Sequence, residues 1–223
     1  DKSLTAKSSQ GKLWKPQNYD HREHGRVPLH VALAQSYNLS TARLGMKLKV
    51  PNVLDMVSRL GVETDALPYP SVLLGSLSLS PLQVSQMYQT LADQGFYSPQ
   101  HVIISVQDRD NLPLQPYPIR VEQRIDSAAA YLLNANLQEV VSRGTAKGLA
   151  RYISPAHYLA GKTGTTNDLR DSWFAGFGND LIGVVWLGRD DNKPSGFSGA
   201  TGALKIWGRM MKKLRIEALT LNQ

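Results

Sequence analysis

The 223-residue chain is long enough for one sizeable domain with its own core, and its 42% hydrophobic content separates it from disordered chains. It contains no cysteine, which excludes thiol catalysis, disulfides and cysteine-ligated metal sites. A formal charge of +7 is compatible with anionic partners, but the basic residues are scattered. Only Lys212-Lys213-Leu214-Arg215 is clustered, and it reads as the solvated face of a terminal helix, so no nucleic-acid partner is expected.

In chain order, Ser3 to Arg26 is polar and reads as an extended surface loop, with His21 and His24 solvated. The five histidines show no HExxH-type spacing, so no metal site is expected. Pro28 suits the first turn of a helix that presents Leu29, Ala32 and Leu33 on one face; the pattern breaks near Asn38 and resumes from Ser40. A further helix is predicted over about 52–60, with Val53, Met56, Val57 and Leu60 as its apolar face and Gly61 as its stop. Ser80, Pro81 and Gln83 form a capping box ahead of Val84, Met87, Tyr88 and Leu91, and Gly95 ends that helix. After the β-branched stretch 101–106, predicted as a strand, Asp108 to Asn111 reads as a turn. A helix from Asp126 to Gly144 carries Leu132, Leu133, Leu137, Val140 and Val141.

Beyond Pro155 lie three strand candidates, 158–165, 172–178 and 181–188, with Gly178-Asn179-Asp180 as the hairpin between the last two. The apolar run Leu181 to Leu187 is strand-sized, far short of the roughly 18 residues that span a bilayer. The polar start Asp1-Lys2-Ser3-Leu4-Thr5 is unlike a secretory signal, which leaves open a cytosolic protein or a piece of a longer one. A last helix is predicted over about 204–219. Helices in a block, then consecutive antiparallel strands, then a helix, make an α+β fold.

Chemistry concentrates in Gly161-Lys162-Thr163-Gly164-Thr165-Thr166-Asn167-Asp168. A lysine and several hydroxyls surround Gly164 at the end of a predicted strand, where glycine lets a ligand approach the backbone and the strand edge offers N–H groups to an extended peptide. The segment also resembles the end of a phosphate-binding loop, but Ala156 stands where that loop needs its first glycine. A structural Thr/Gly-rich turn is the plainer alternative. The second segment is Ser36-Tyr37-Asn38, between two helices; by itself it reads as capping, with Asn38 ending one helix and Ser40 starting the next.

Taken together and in this order, the two segments resemble the S-x-N and K-T-G motifs of the penicillin-binding proteins and class A β-lactamases. Leu13-Trp14-Lys15-Pro16-Gln17-Asn18-Tyr19-Asp20, Ser80-Pro81-Leu82-Gln83, Gly144-Thr145-Ala146 and Asp171-Ser172-Trp173-Phe174-Ala175-Gly176 are similar to the class A, bifunctional members, and the resemblance covers nearly the whole chain. It implies an α+β fold of the serine β-lactamase and penicillin-binding-protein type, an antiparallel sheet packed with helices. It also implies a D,D-transpeptidase that crosslinks peptidoglycan stem peptides through a serine acyl-enzyme, is inhibited by β-lactams and needs no cofactor.

The resemblance assigns roles position by position. Ser36 relays a proton, Asn38 binds the substrate's amide carbonyl, and Lys162 orients Ser36 and supplies positive field. Thr163 and Thr165, with Gly164 and Thr166 beside them, hold the substrate's terminal carboxylate, and the Thr165 N–H is one oxyanion-hole donor. The family's S-x-x-K motif, which carries the nucleophile, is matched only by Ser9-Gln10-Gly11-Lys12. That string fails, because Gly11 in a polar loop opposes the helix that would stack Lys one turn from Ser, and it lies too near Ser36. The expectation is that residues 1–223 form the C-terminal part of a transpeptidase domain whose S-x-x-K part lies elsewhere, on another chain or cleaved away. Implied partners are stem peptides, β-lactams, the remainder of the protein with its nucleophile and glycosyltransferase domain, cell-wall regulators and a second copy of the protein. The implied location is the periplasm, on an inner-membrane anchor. A β-lactamase and a non-catalytic sensor domain are the competing readings.

Overall fold

The computed structural model describes residues 1–7, 11, 13–103, 105–115 and 119–221. Ser9, Gln10 and Lys12 of the S-x-x-K string lie outside the described residues. The chain opens with a short antiparallel pair, β1 (Ala6–Lys7) and β2 (Leu13–Trp14), then runs to helices α1 (Leu29–Ala34), α2 (Asn38–Leu48) and α3 (Val50–Arg59). Helix α4 (Pro81–Ala92) begins at the predicted capping box: Ser80 accepts from the Gln83 backbone N–H, and the Gln83 side chain accepts from Ser80 N–H. An excursion follows, with β3 (Phe96–Tyr97) paired to β6 (Glu122–Gln123) and, between them, β4 (Val106–Gln107) paired to β5 (Pro113–Gln115). Helix α5 (Ser127–Ser142) is capped by Asp126, and the main sheet is β7 (Ala160–Thr165), β8 (Ser172–Phe177) and β9 (Ile182–Leu187), in that order and antiparallel throughout. Helix α6 (Ala203–Leu214) closes the fold. The expected α+β class is the one observed.

The core forms where helices meet this sheet. Phe174 of β8 packs edge-on against Trp207 of α6 at 5.1 Å, while Phe177 meets Tyr88 of α4 at 6.2 Å. Three residues apart on a strand, the two rings leave on opposite faces, so α6 covers one face of the sheet and α4 the other. Trp207, Phe174, Phe177, Leu149 and Val140 are fully buried (each 0% exposed), and truncating a ring such as Trp207 to alanine costs about 3–5 kcal/mol. Burial also pushes the Tyr88 phenol well above its ordinary range, since its anion would lose hydration.

Several expectations shift. The helix break is at Gln35–Tyr37, and Asn38 opens α2 instead of ending α1. Helix α3 starts at Val50, ahead of the expected 52, and Met56 on its expected apolar face remains exposed. In α5 the buried face is Ala130, Asn134, Leu137, Val140 and Val141; Leu132 is two positions from Ala130, about 200° around the helix, and is exposed. Within the predicted strand over 101–106, Val106 pairs with Gln115 as the start of β4, while Val102 and Ile103 are exposed and find no buried face to justify their β propensity. Helix α6 stops at Leu214 because Arg215 turns left-handed, and Leu219 is buried by the returning tail, its N–H bound to Tyr158 O at 2.9 Å. The segment 3–26 is not all surface: Pro16 and Asn18 are buried, and His24 stacks on Tyr37 at 4.0 Å and pairs with Asp20 at 2.9 Å.

Candidate active site

Helix α1 ends in a Schellman closure. Ser36 N–H bonds Leu33 O at 3.1 Å and Tyr37 N–H bonds Ala32 O at 2.9 Å. The residue one past the helix cap in this motif takes a left-handed conformation and is usually glycine; here it is Ser36, at φ 58°. A side chain at that position costs of order 1 kcal/mol or more. In exchange the turn presents a hydroxyl at the helix break, on the wall of a cleft of about 340 Å³.

Helix α2 starts two residues later with no cap from its own side chains. Its Leu39 N–H is instead bound by Asn18 Oδ1 at 3.1 Å, a capping group supplied from 21 residues upstream. Asn18 is 3% exposed, and its Nδ2 is spent on Asp1 Oδ2 and Arg22 O at 2.7 and 2.6 Å. The neighbouring Gln17 carbonyl accepts from Asn38 Nδ2 at 2.8 Å, so the loop before α1 fixes the Asn38 side chain on the cleft wall.

The opposite wall is β7, an edge strand paired on one side by β8. Lys162 Nζ donates to Ser36 Oγ at 2.7 Å and to Thr163 O at 3.1 Å. Burial of the ammonium lowers Lys162 to about 8, well below an ordinary lysine but still protonated at neutral pH. Because Ser36 Oγ accepts from this cation, its own O–H is left to donate into the cleft. Thr163 and Thr165, two apart on β7, share a face and line the cleft. Thr165 Oγ1 accepts from Gly199 N–H at 2.9 Å, which again leaves its proton to donate. Gly199 has to be glycine: a Cβ there would lie 2.6 Å from both Gly164 O and Trp173 O.

Among the sequence-predicted site residues, the structure therefore gathers Ser36, Asn38, Thr163 and Thr165 on one cleft and joins Lys162 to it through Ser36. Gly164 lies behind, against Trp173. Thr166 is turned to Asp171, donating to Oδ2 at 3.0 Å and accepting from its N–H at 2.8 Å, and closes the turn out of β7. Among the described residues no group of three His, Cys, Asp or Glu side chains could hold a metal ion.

A family model described as the penicillin binding protein transpeptidase domain matches residues 1–186. The chain belongs to the penicillin-binding-protein transpeptidase family. Penicillin-binding protein 1B of Vibrio cholerae is 46% identical over 222 residues, covering 99% of this chain and 28% of that protein. Penicillin-binding protein 1B of Escherichia coli is 42% identical over 216 residues, 95% of this chain and 25% of that protein. The chain thus spans about a quarter of the length of these relatives. Among solved structures, penicillin-binding protein 1A from Haemophilus influenzae superposes with a TM-score of 0.87 at 24% identity, over 96% of this chain and 38% of that one. The PonA1 protein from Mycobacterium tuberculosis, in complex with penicillin V, gives 0.79 at 23% identity, over 99% and 64%. These two share their fold with this chain. No helix among the described residues is long and apolar enough to cross a membrane.

Sequence reasoning missed three supports of this cleft. Asn18 was legible only as part of the Leu13–Asp20 stretch, Thr145 only as part of Gly144-Thr145-Ala146, and Gly199 carried no signal. Each acts through a contact between segments distant in sequence, which periodicity does not encode.

Proposed function

We propose that this chain supplies the S-x-N and K-T-G walls of a peptidoglycan D,D-transpeptidase. The carrying observation is the 2.7 Å bond from Lys162 Nζ to Ser36 Oγ, which joins two motifs 126 residues apart in one cleft. The nucleophilic serine belongs to an S-x-x-K motif outside these residues, in the remainder of the same protein. Its oxygen attacks the carbonyl of the D-Ala-D-Ala bond of a stem peptide; the new C–O ester bond forms, the C–N bond breaks, and the serine's proton passes to the departing amine of D-Ala. Ser36, accepting from Lys162 and free to donate, has the polarity to deliver that proton. Thr163 and Thr165 offer O–H donors to the terminal carboxylate, Asn38 its amide to the substrate's carbonyl, and the Thr165 N–H, on an edge strand, one half of the oxyanion hole. An amine of a second stem resolves the ester and forms the crosslink. β-Lactams acylate the same serine. The setting we propose is the periplasm, in a membrane-anchored protein that also carries a glycosyltransferase domain and meets cell-wall regulators or a second copy of itself.

Labelled penicillin added to the full-length protein tests this. One long-lived acyl group per molecule is expected. Rapid turnover of the antibiotic would favour a β-lactamase, and stable labelling without crosslinked product from stem peptides would favour a sensor.

A further inference from the structure

The cleft is bridged a second time, by a residue outside both motifs. Thr145 Oγ1 lies 2.6 Å from Thr163 Oγ1, and both side chains line the cleft. Thr145 is fixed from the other direction as well: its N–H bonds Ala34 O at 3.0 Å, the last residue of α1 and two before Ser36. That approach requires glycine next door, since a Cβ on Gly144 would sit 2.2 Å from the same Ala34 oxygen. Thr145 thereby ties the Ser36 turn to β7 independently of Lys162.

A pair of hydroxyls at 2.6 Å has two proton arrangements, and they are not equivalent for an anion. If Thr163 donates to Thr145, Thr163 turns a lone pair to the cleft and repels a carboxylate. If Thr145 donates to Thr163, the Thr163 proton is released toward the cleft, and the two O–H groups in series polarise one another. No carboxylate can bind at Thr163 in the first arrangement. We infer that Thr145 is a positioning residue that directs the Thr163 hydroxyl as a donor, and so sets the preference of this cleft for acyl donors ending in a free carboxylate. The inference rests on the transpeptidase reading and adds to it a residue that touches no reacting atom.

Thr145→Val keeps the shape and removes the hydroxyl; Thr145→Ser keeps the hydroxyl. In the full-length protein, second-order acylation is measured with a penicillin and with the methyl ester of the same penicillin, alongside the thermal midpoint. The wild type is expected to prefer the free acid. Thr145→Val is expected to lose about fivefold to tenfold with the acid and little with the ester, the scale of one lost hydrogen bond to a charged ligand's donor. Thr145→Ser is expected to restore the preference at an unchanged midpoint. Equal losses with acid and ester in Thr145→Val, or an undiminished preference for the acid, would overturn the inference. A wild type that penicillin fails to acylate would instead overturn the transpeptidase reading beneath it.

Discussion

Ser36 and Lys162 meet at 2.7 Å, yet opposite means hold them there. Lys162 rides on a regular strand whose register with β8 is continuous from Ala160–Phe177 to Thr165–Ser172. Ser36 sits at a strained helix end whose neighbours are fixed by distant partners: Asn18 on Leu39, Gln17 on Asn38, and Thr145 on Ala34. One wall is built by local pairing and the other by tertiary clamps. A ladder tolerates the loss of one side chain, whereas a clamp does not, so the two walls should fail differently.

The largest effect is expected at the contact itself. Lys162→Ala removes the cation without breaking the ladder, because its backbone pairing with Ala175 remains. Penicillin labelling of the full-length protein should fall about 10²–10⁴-fold while the fold persists. Labelling at the wild-type rate would refute the role given to Lys162.

The pH dependence sharpens the same point. Burial lowers Lys162 to about 8, so the ammonium that donates to Ser36 is lost as pH rises through that value, whereas an ordinary lysine would keep it to about 10. Labelling should decline about tenfold per unit above pH 8. Stability should move the other way. Between about 8 and 10 the unfolded chain holds a proton that the native lysine has released, so unfolding free energy from this group rises with pH. Lys162→Met, which has no proton to lose, should abolish that rise; a rise of equal size in the variant would assign it to other groups.

The contrast between the walls also governs what could be read in the sequence. The ladder was legible: the three strand candidates after Pro155 and the Gly178-Asn179-Asp180 turn place β7, β8 and β9 to within about two residues, and Gly178 N–H does close that turn on Leu181 O. The S-x-N wall was legible as a motif but not as a shape. A Schellman closure announces itself by glycine, and a serine in that place conceals it, so the break was set near Asn38 instead of at Ser36. The cap of α2 was invisible for a different reason, since its acceptor comes from Asn18 and nothing at residues 36–40 points there.

Asn18→Ala tests the clamp. It leaves the buried Leu39 N–H without an acceptor and releases the loop that carries Gln17 to Asn38. A loss of about 1–3 kcal/mol is expected from the unsatisfied donor, read by denaturant or thermal unfolding. Penicillin labelling should fall with it, even at temperatures where the protein stays folded, because Asn38 loses its anchor. Loss of stability with labelling intact would show that α2 holds the S-x-N wall without the loop.

The smallest effect is a control on the same type of bond. Ser80 caps α4 from within its own capping box, a local device, and α4 packs on β8 and β9 away from the cleft. Ser80→Ala removes one acceptor at a helix N-terminus, as Asn18→Ala does, and should cost about 1 kcal/mol. The Gln83 side chain still binds the backbone at residue 80, and exposed N–H groups there can turn to water, so the loss should be no larger. Labelling at saturating penicillin should be unchanged. If the two cap deletions cost equal stability and only Asn18→Ala impairs labelling, the tertiary origin of the cap ties it to the cleft; if both impair labelling alike, general loosening of the fold explains the effect, and the distinction between ladder and clamp loses its functional meaning.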